Sequence, residues 1–190
     1  MVVASVDQNK QIIESTKRTI PCDTVLFSVG LIPENELLES LGLALNPGTK
    51  GVNVDQFRQT EIEGLFACGN TLQVHDLVDF VSYESEIAGQ SAARYINGER
   101  FNGKTVNTIK GKGLLYVLPQ RIDVTAKEDL KLFFRPSGVF KDVTIKITEN
   151  GKEIYAKKKK AVTPGEMETI TIRKEQLSAI SNDILVEVLC

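Results

Sequence analysis

Gly69 and Asn70 close the short apolar run Leu65-Phe66-Ala67-Cys68, and a few residues later a long helical pattern begins. An apolar run stopped by a small residue and a polar one reads as a buried strand whose carboxyl end turns abruptly. In open α/β sheets that end is where ligands sit. Beyond the loop "TLQVHD", Leu77, Val81, Ala88, Ala92 and Tyr95 fall near one face at helical spacing, with Asp76 as the expected N-cap and Gly98 as the stop. A helix starting beside a strand end points its free N–H groups and positive dipole end into the same crevice, which suits an anionic or electron-rich ligand.

The other side chains able to do chemistry have plainer readings. His75 is the sole histidine; it is expected to cap or pack in the loop, with contact to a ligand as the alternative. Glu84 and Glu86 are expected to be solvated or capping on the helix. Ser82, Ser85 and Ser91 have no base partner at sequence level, so nucleophilic catalysis is unsupported. Cys22, Cys68 and Cys190 match no C-x-x-C or zinc spacing, and no metal site is expected. Cys22 and Cys68 read as packing residues, Cys190 as a surface thiol. The run Lys157 to Lys160 reads as a solvated strand edge that discourages pairing.

The elements that must position these residues divide the chain into parts of different character. Residues 1 to about 33 read as three strands, "VVASVD", "QIIESTKRTIPC" and "DTVLFSVG", the first two joined by a turn at "QNK". Pro33 opens a short helix, "ENELLESL", closed by Gly42; "VNVD" is a short strand leading to the Gly69 region. The polar, glycine-rich stretch 98–113 reads as a linker. Beyond it the period changes to two, as in Val143, Ile145 and Ile147 or Ile184, Val186 and Val188. About seven strands, "LLYVLP", "QRIDV", "LKLFFR", "TIKITE", "KEIYAK", "METITIR" and the last, with Asn150-Gly151 as a tight hairpin turn, predict a small antiparallel sandwich over 114–190. The expected fold class is therefore α/β over 1–97, then a linker, then an all-β sandwich domain.

Composition narrows the partners. With 190 residues, 42% hydrophobic and 25% charged, the chain can bury an ordinary core. A formal net charge of -2 gives no electrostatic reason to expect nucleic acid or an anionic membrane. No apolar run approaches the ~20 residues that span a bilayer, the amino terminus lacks signal-peptide features, and the expected location is cytoplasmic.

Residues 23 to 96 resemble the closing part of the FAD domain of the pyridine nucleotide-disulfide oxidoreductase superfamily. "DTVLFSVGLIPENELLESLGL" is similar to that superfamily's strand after the NAD(P)H domain, and "VNVDQFRQTEIEGLFACGN" to its second flavin motif, T-x-x-x-G-[LIV]-[FY]-A-x-G-D. "CGNTLQVHDLVDFVSYESEIAG" most resembles oxidoreductases related to the anaerobic-type glycerol-3-phosphate dehydrogenases. The resemblance implies an antiparallel meander attached to a Rossmann-like FAD domain. It also implies that Gly69 and Asn70 approach the ribityl and pyrophosphate region of FAD, and that the helix start at Val78, Asp79 and Phe80 faces the flavin's pyrimidine edge, with His75 nearby. Asn70 stands where aspartate is commoner, so one acceptor is kept and a negative charge is lost.

The 14 glycines form no G-x-G-x-x-G, the turn that should hold the FAD pyrophosphate and, in a second copy, NAD(P)H. The expectation is thus a carboxyl-terminal fragment of a larger flavoenzyme that transfers hydride between NAD(P)H, FAD and a small-molecule or protein acceptor. By itself it should be inactive and hold FAD weakly or not at all, and pairing with a second copy or a partner subunit stays open. The alternative is a non-catalytic module whose sandwich docks a partner subunit or electron acceptor.

Overall fold

The computed structural model describes residues 1–28 and 30–190, which divide into two compact units, 1–31 and 32–190. In the first unit, β1 (Val2–Val3) pairs antiparallel with β2 (Arg18–Thr19), and Val6 bridges Ile12. The expected turn forms at Asp7, whose carboxylate accepts the N–H groups of Asn9 and Gln11, both at 2.8 Å. Two expected strands are corrected here. Residues 11–22 hold a 3-10 turn, Glu14–Thr16, and only two residues of ladder. Residues 23–28 form no strand, leaving Leu26 92% and Phe27 80% exposed. Apolar β-formers become a strand only when a neighbouring backbone completes their hydrogen bonds. Val29, inside the expected strand 23–30, lies outside the described residues.

The second unit begins with α1 (Glu36–Ser40), closed by Gly42 in the left-handed region (φ +82°) as its sequence predicts. α2 (Val78–Ile96) is the long helix, ended by Gly98 (φ +95°). Between them the expected strands "VNVD" and Leu65–Cys68 are reduced to isolated bridges, Leu45 to Val52 and Gln59 to Phe66, and Leu65, Phe66 and Cys68 are only half-buried. Among the described residues before 98 no parallel sheet forms.

All seven strands expected after residue 113 are present: β4 (Leu114–Leu118), β5 (Arg121–Asp123), β6 (Leu130–Pro136), β7 (Phe140–Glu149), β8 (Lys152–Val162), β9 (Glu168–Ile172) and β10 (Ile184–Leu189). Asn150 (φ +48°) and Gly151 (φ +80°) make the β7–β8 turn, both in the left-handed region that such a turn requires. The segment expected as a linker, 98–113, instead supplies β3 (Thr105–Lys110). Its polar alternation, with only Val106 and Thr108 buried, suits a strand with one face covered. One sheet runs β5-β3-β10-β7-β8, the other β4-β6-β9. β3 and β10 are parallel, so the sandwich is mixed where an antiparallel one was expected.

The two sheets enclose one core, built from Leu132 and Phe134 of β6, Ile145 and Ile147 of β7, Ile170 and Ile172 of β9, and Ile184 and Val186 of β10, among others. The small sheet is covered on its other face as well. Phe133, Leu118 and Met167 join Leu43, Val52, Val54, Ala67 and Leu72 in a second core, with Phe80 and Tyr83 of α2 packed against it. That double burial explains the unbroken apolar reading of "LKLFF". Segment 54–56 also lies along β5: Gln120 N donates to Val54 O at 3.1 Å and Asp123 N to Gln56 Oε1. The expected boundary at 113 to 114 thus runs through shared packing. At the opposite edge β8 exposes Lys157, Lys158 and Lys160, while Lys159 reaches Glu168 of the other sheet at 2.6 Å.

Candidate functional site

Gly69 is buried and left-handed (φ +66°), and starts a 3-10 turn, Gly69–Thr71. A Cβ added there would lie 3.4 Å from the Val81 Cγ1 methyl, so the turn packs against the opening of α2. Asn70 is half-buried, and its Oδ1 accepts the His75 N–H at 3.2 Å, closing the loop between them. Val78 is 74% exposed and Asp79 is exposed, while Phe80 turns inward, edge-on to Phe133 at 5.9 Å between ring centres. Of the residues expected to face a ligand, Gly69 and Asn70 thus lie in the turn that meets the start of α2, Val78 and Asp79 are exposed there, and Phe80 points into the core.

Asp76, the expected N-cap, does not cap α2. The N-cap position is Leu77 and no side chain caps the helix. The Asp76 carboxylate instead accepts from Arg135 Nη2 at 2.8 Å and from Met167 N at 2.6 Å. A charged partner and a backbone donor together outweigh one cap bond. Arg135 also donates to Val74 O (3.0 Å), Pro164 O (2.7 Å) and the Tyr116 hydroxyl (3.0 Å), so one guanidinium fastens the 74–76 loop to the small sheet. Burial lowers the Arg135 pKa, but Tyr116 and Asp76 outweigh it and leave the group above its ordinary value. Burial likewise raises that of the Tyr116 hydroxyl. Among the described residues no side chain accepts from the leading N–H groups of α2, at the positive end of a 19-residue helix.

Beneath this site lies a polar cluster that the sequence reading missed. Glu84, expected on the solvated side, is fully buried. Its Oε1 accepts from Gln73 Nε2 at 3.1 Å and Arg58 Nη2 at 3.4 Å, and its Oε2 lies 3.0 Å from His75 Nε2. His75 is thus a packed loop residue, oriented by a carboxylate. Arg58 Nε, Gln73 Oε1 and His75 Nδ1 are buried with no partner among the described residues. Burial holds the Arg58 guanidinium below its ordinary pKa, opposed chiefly by Glu84. Arg58 is left-handed (φ +67°) and follows Asp55, whose Oδ1 accepts the N–H groups of Phe57 (2.9 Å) and Gln59 (3.0 Å). Burial raises the Asp55 pKa against those bonds. The signal for Glu84 was available: it falls three residues after Val81 and four before Ala88, inside the apolar stripe. Glu86, by contrast, is exposed and accepts from Gln90.

Cys22 is exposed and Cys68 half-buried, so the reading of Cys22 as a packing residue is corrected; its neighbours form no core. No grouping of His, Cys, Asp and Glu suited to a metal occurs among the described residues, and no described helix is long and apolar enough to cross a membrane.

Neither the curated proteins nor the solved structures contain a match to this chain. Residues 1–83 match the family model of pyridine nucleotide-disulphide oxidoreductases, a match that takes in Arg58, Gly69, Asn70, His75 and the helix start and stops one residue before Glu84.

Proposed function

We propose that the chain is part of a flavoprotein oxidoreductase that moves hydride or electrons between NAD(P)H, FAD and an acceptor. Gly69, Asn70 and the backbone of the helix start at Val78, Asp79 and Phe80 would face the flavin, with the Phe80 side chain turned into the core beneath. The observation that carries the reading is the Gly69 turn packed against the uncapped first turn of α2, inside the segment that matches the family. A glycine without a Cβ admits a cofactor closely, and free N–H groups at a helix start favour electron-rich atoms. When bound, FAD would supply the two-electron chemistry. This chain's own residues orient: Asn70 holds the loop through His75 N, Arg135 pins the loop through Val74 O and Asp76, and Glu84 fixes the His75 ring.

These 190 residues carry no G-x-G-x-x-G turn, so in this reading other residues of the enzyme hold the pyrophosphate and NAD(P)H, and the chain alone does not turn over. The finer kinship with the anaerobic-type glycerol-3-phosphate dehydrogenase group rests on the stretch from Cys68 to Gly89. The alternative of a freestanding docking module is weakened by Phe133, Leu118 and Met167, which need residues 43–83 to cover them.

The test is a titration of the isotope-labelled chain with FAD, followed by amide resonances. Weak, non-stoichiometric shifts centred on Gly69, Asn70 and Val78 to Phe80 are expected. Shifts confined to other surfaces, or none, would remove the flavin face.

A further inference from the structure

Asp76 stands one residue ahead of the N-cap of α2, and its residue type favours a cap. Were Asp76 the N-cap, Val78 and Asp79 would be the second and third residues of the helix, and their N–H groups the ones a capping carboxylate accepts. In the structure neither N–H group has an acceptor among the described residues, while the Asp76 carboxylate is turned to the small sheet. The cap that the residue order favours is left unmade.

What holds the carboxylate away comes from the small sheet. Arg135 of β6 donates from Nη2 to Asp76 Oδ1 at 2.8 Å, and the Met167 N–H, just before β9, donates to Asp76 Oδ2 at 2.6 Å, so both carboxylate oxygens are taken. The guanidinium is itself fixed. Its Nε donates to the hydroxyl of Tyr116 in β4 (3.0 Å), its Nη1 to Pro164 O (2.7 Å) and its Nη2 also to Val74 O (3.0 Å). With the Arg135 side chain 13% exposed and that of Asp76 27%, the ion pair is only partly screened by water. Met167 N by itself is one neutral donor, whereas the start of α2 offers two, with the positive end of the helix dipole behind them.

We propose that Arg135 is a positioning residue for the flavin site: it keeps the Asp76 carboxylate off the start of α2 and so leaves the Val78 and Asp79 N–H groups free for electron-rich atoms of the cofactor. The inference rests on the flavin reading of that helix start. The charge-assisted bond to Arg135 is what tips Asp76 toward the sheet. Without it, Asp76 moves the N-cap back by one residue, and an internal anion takes the place that the ligand would use. A side chain of the sandwich thus sets the state of a site 59 positions earlier in the chain.

The experiment uses the intact chain in two steps, amide hydrogen exchange without flavin and then titration with FAD. In Arg135→Gln, exchange at the Val78 or Asp79 N–H should slow by about fivefold, the protection that one cap bond gives, and the FAD-induced shifts at Val78 to Phe80 should shrink. Arg135→Gln combined with Asp76→Ala should restore both, a rescue that a merely structural role of Arg135 would not produce. Asp76→Ser offers a cap without the charge that pairs with Arg135, and it leaves Arg135 its other three partners. It should slow the same amides, and it decides the matter where Arg135→Gln does not fold. The proposal is overturned if neither amide slows in Arg135→Gln, or in Asp76→Ser where that stands in for it. It is equally overturned if the slowing persists in the double variant, or if the FAD shifts of Arg135→Gln equal those of the parent. Slowing and rescue as expected, with no FAD shifts in the parent, would strike the flavin reading and leave the hold of Arg135 on Asp76 standing.

Discussion

His75 and Glu84 are joined by a 3.0 Å contact between Nε2 and Oε2, with both side chains sealed from solvent. One carboxylate therefore orients the loop imidazole and at the same time answers Arg58 through its other oxygen. A buried pair of this kind is costly to break from one end, because the remaining ion stays buried without its partner.

Removing Glu84 should accordingly cost far more than an ordinary helix substitution. Glu84→Ala is expected to lose about 3 to 5 kcal/mol of unfolding free energy, and Arg58→Met a similar amount. The double variant should lose clearly less than the sum, since neither ion is then stranded. Urea unfolding of the four proteins measures the coupling; strict additivity would mean that Arg58 and Glu84 do not act as a pair.

The small sheet yields a second expectation. Phe133 is fully buried on the face of β6 turned toward Leu72 and Tyr83, while Phe134 faces the sandwich core. Phe133→Ala should cost about 3 to 5 kcal/mol in one cooperative transition. Residues 98–190 expressed alone should expose Leu118, Phe133 and Met167, bind a hydrophobic dye and associate. A monomeric, dye-free fragment with dispersed amide resonances would restore the autonomous sandwich.

Much of the sandwich was legible because period-two alternation is written into each strand. Val143, Ile145 and Ile147 point inward as their spacing demands, and Asn150-Gly151 forms the turn that its residues favour. The misses have physical causes. β3 was hidden because a short, mostly polar strand in which only Val106 and Thr108 are buried resembles a linker. The "VLF" stretch looked like a strand because propensity is local, whereas a ladder needs a partner. At the site, glycine, amide and helix start were readable in order. The Arg58–Glu84–His75 cluster was not, because it joins residues 26 and 9 positions apart through tertiary packing. Only the place of Glu84 within an apolar stripe hinted at burial.

Acid should weaken one defined corner of the sandwich. The Glu149 carboxylate accepts from Ser181 N (2.8 Å), Asn182 N (2.7 Å) and Asn182 Nδ2 (3.1 Å), bonds that hold its pKa below the ordinary glutamate value. The unfolded chain then binds the proton more tightly than the folded one. The stabilisation is full above the ordinary glutamate pKa and is lost as pH falls through the lowered folded value. Glu149→Gln should reduce the acid-side slope of stability against pH and leave its neutral-to-alkaline shape unchanged. An identical acid limb in the variant would show that the loop before β10 does not depend on this charge.

Asn70 separates loop architecture from flavin recognition, because its Oδ1 has a partner in the protein itself. Asn70→Leu removes the acceptor of the His75 N–H, a loss of about 1 to 3 kcal/mol if the donor stays dry. Asn70→Asp keeps that acceptor and adds a negative charge beside the α2 amino terminus, where the helix dipole favours it. The aspartate variant should therefore match the parent in thermal stability while the leucine variant melts earlier. If this face also contacts flavin, both variants should alter the FAD-induced shifts at Val78 to Phe80, the leucine by removing a polar contact and the aspartate by adding charge near the phosphates. Hydrogen exchange at the His75 amide reports the loop, and the FAD titration reports the face. Faster exchange in Asn70→Leu with FAD shifts unaltered in both variants would leave Asn70 as a loop clasp and take it out of the flavin site.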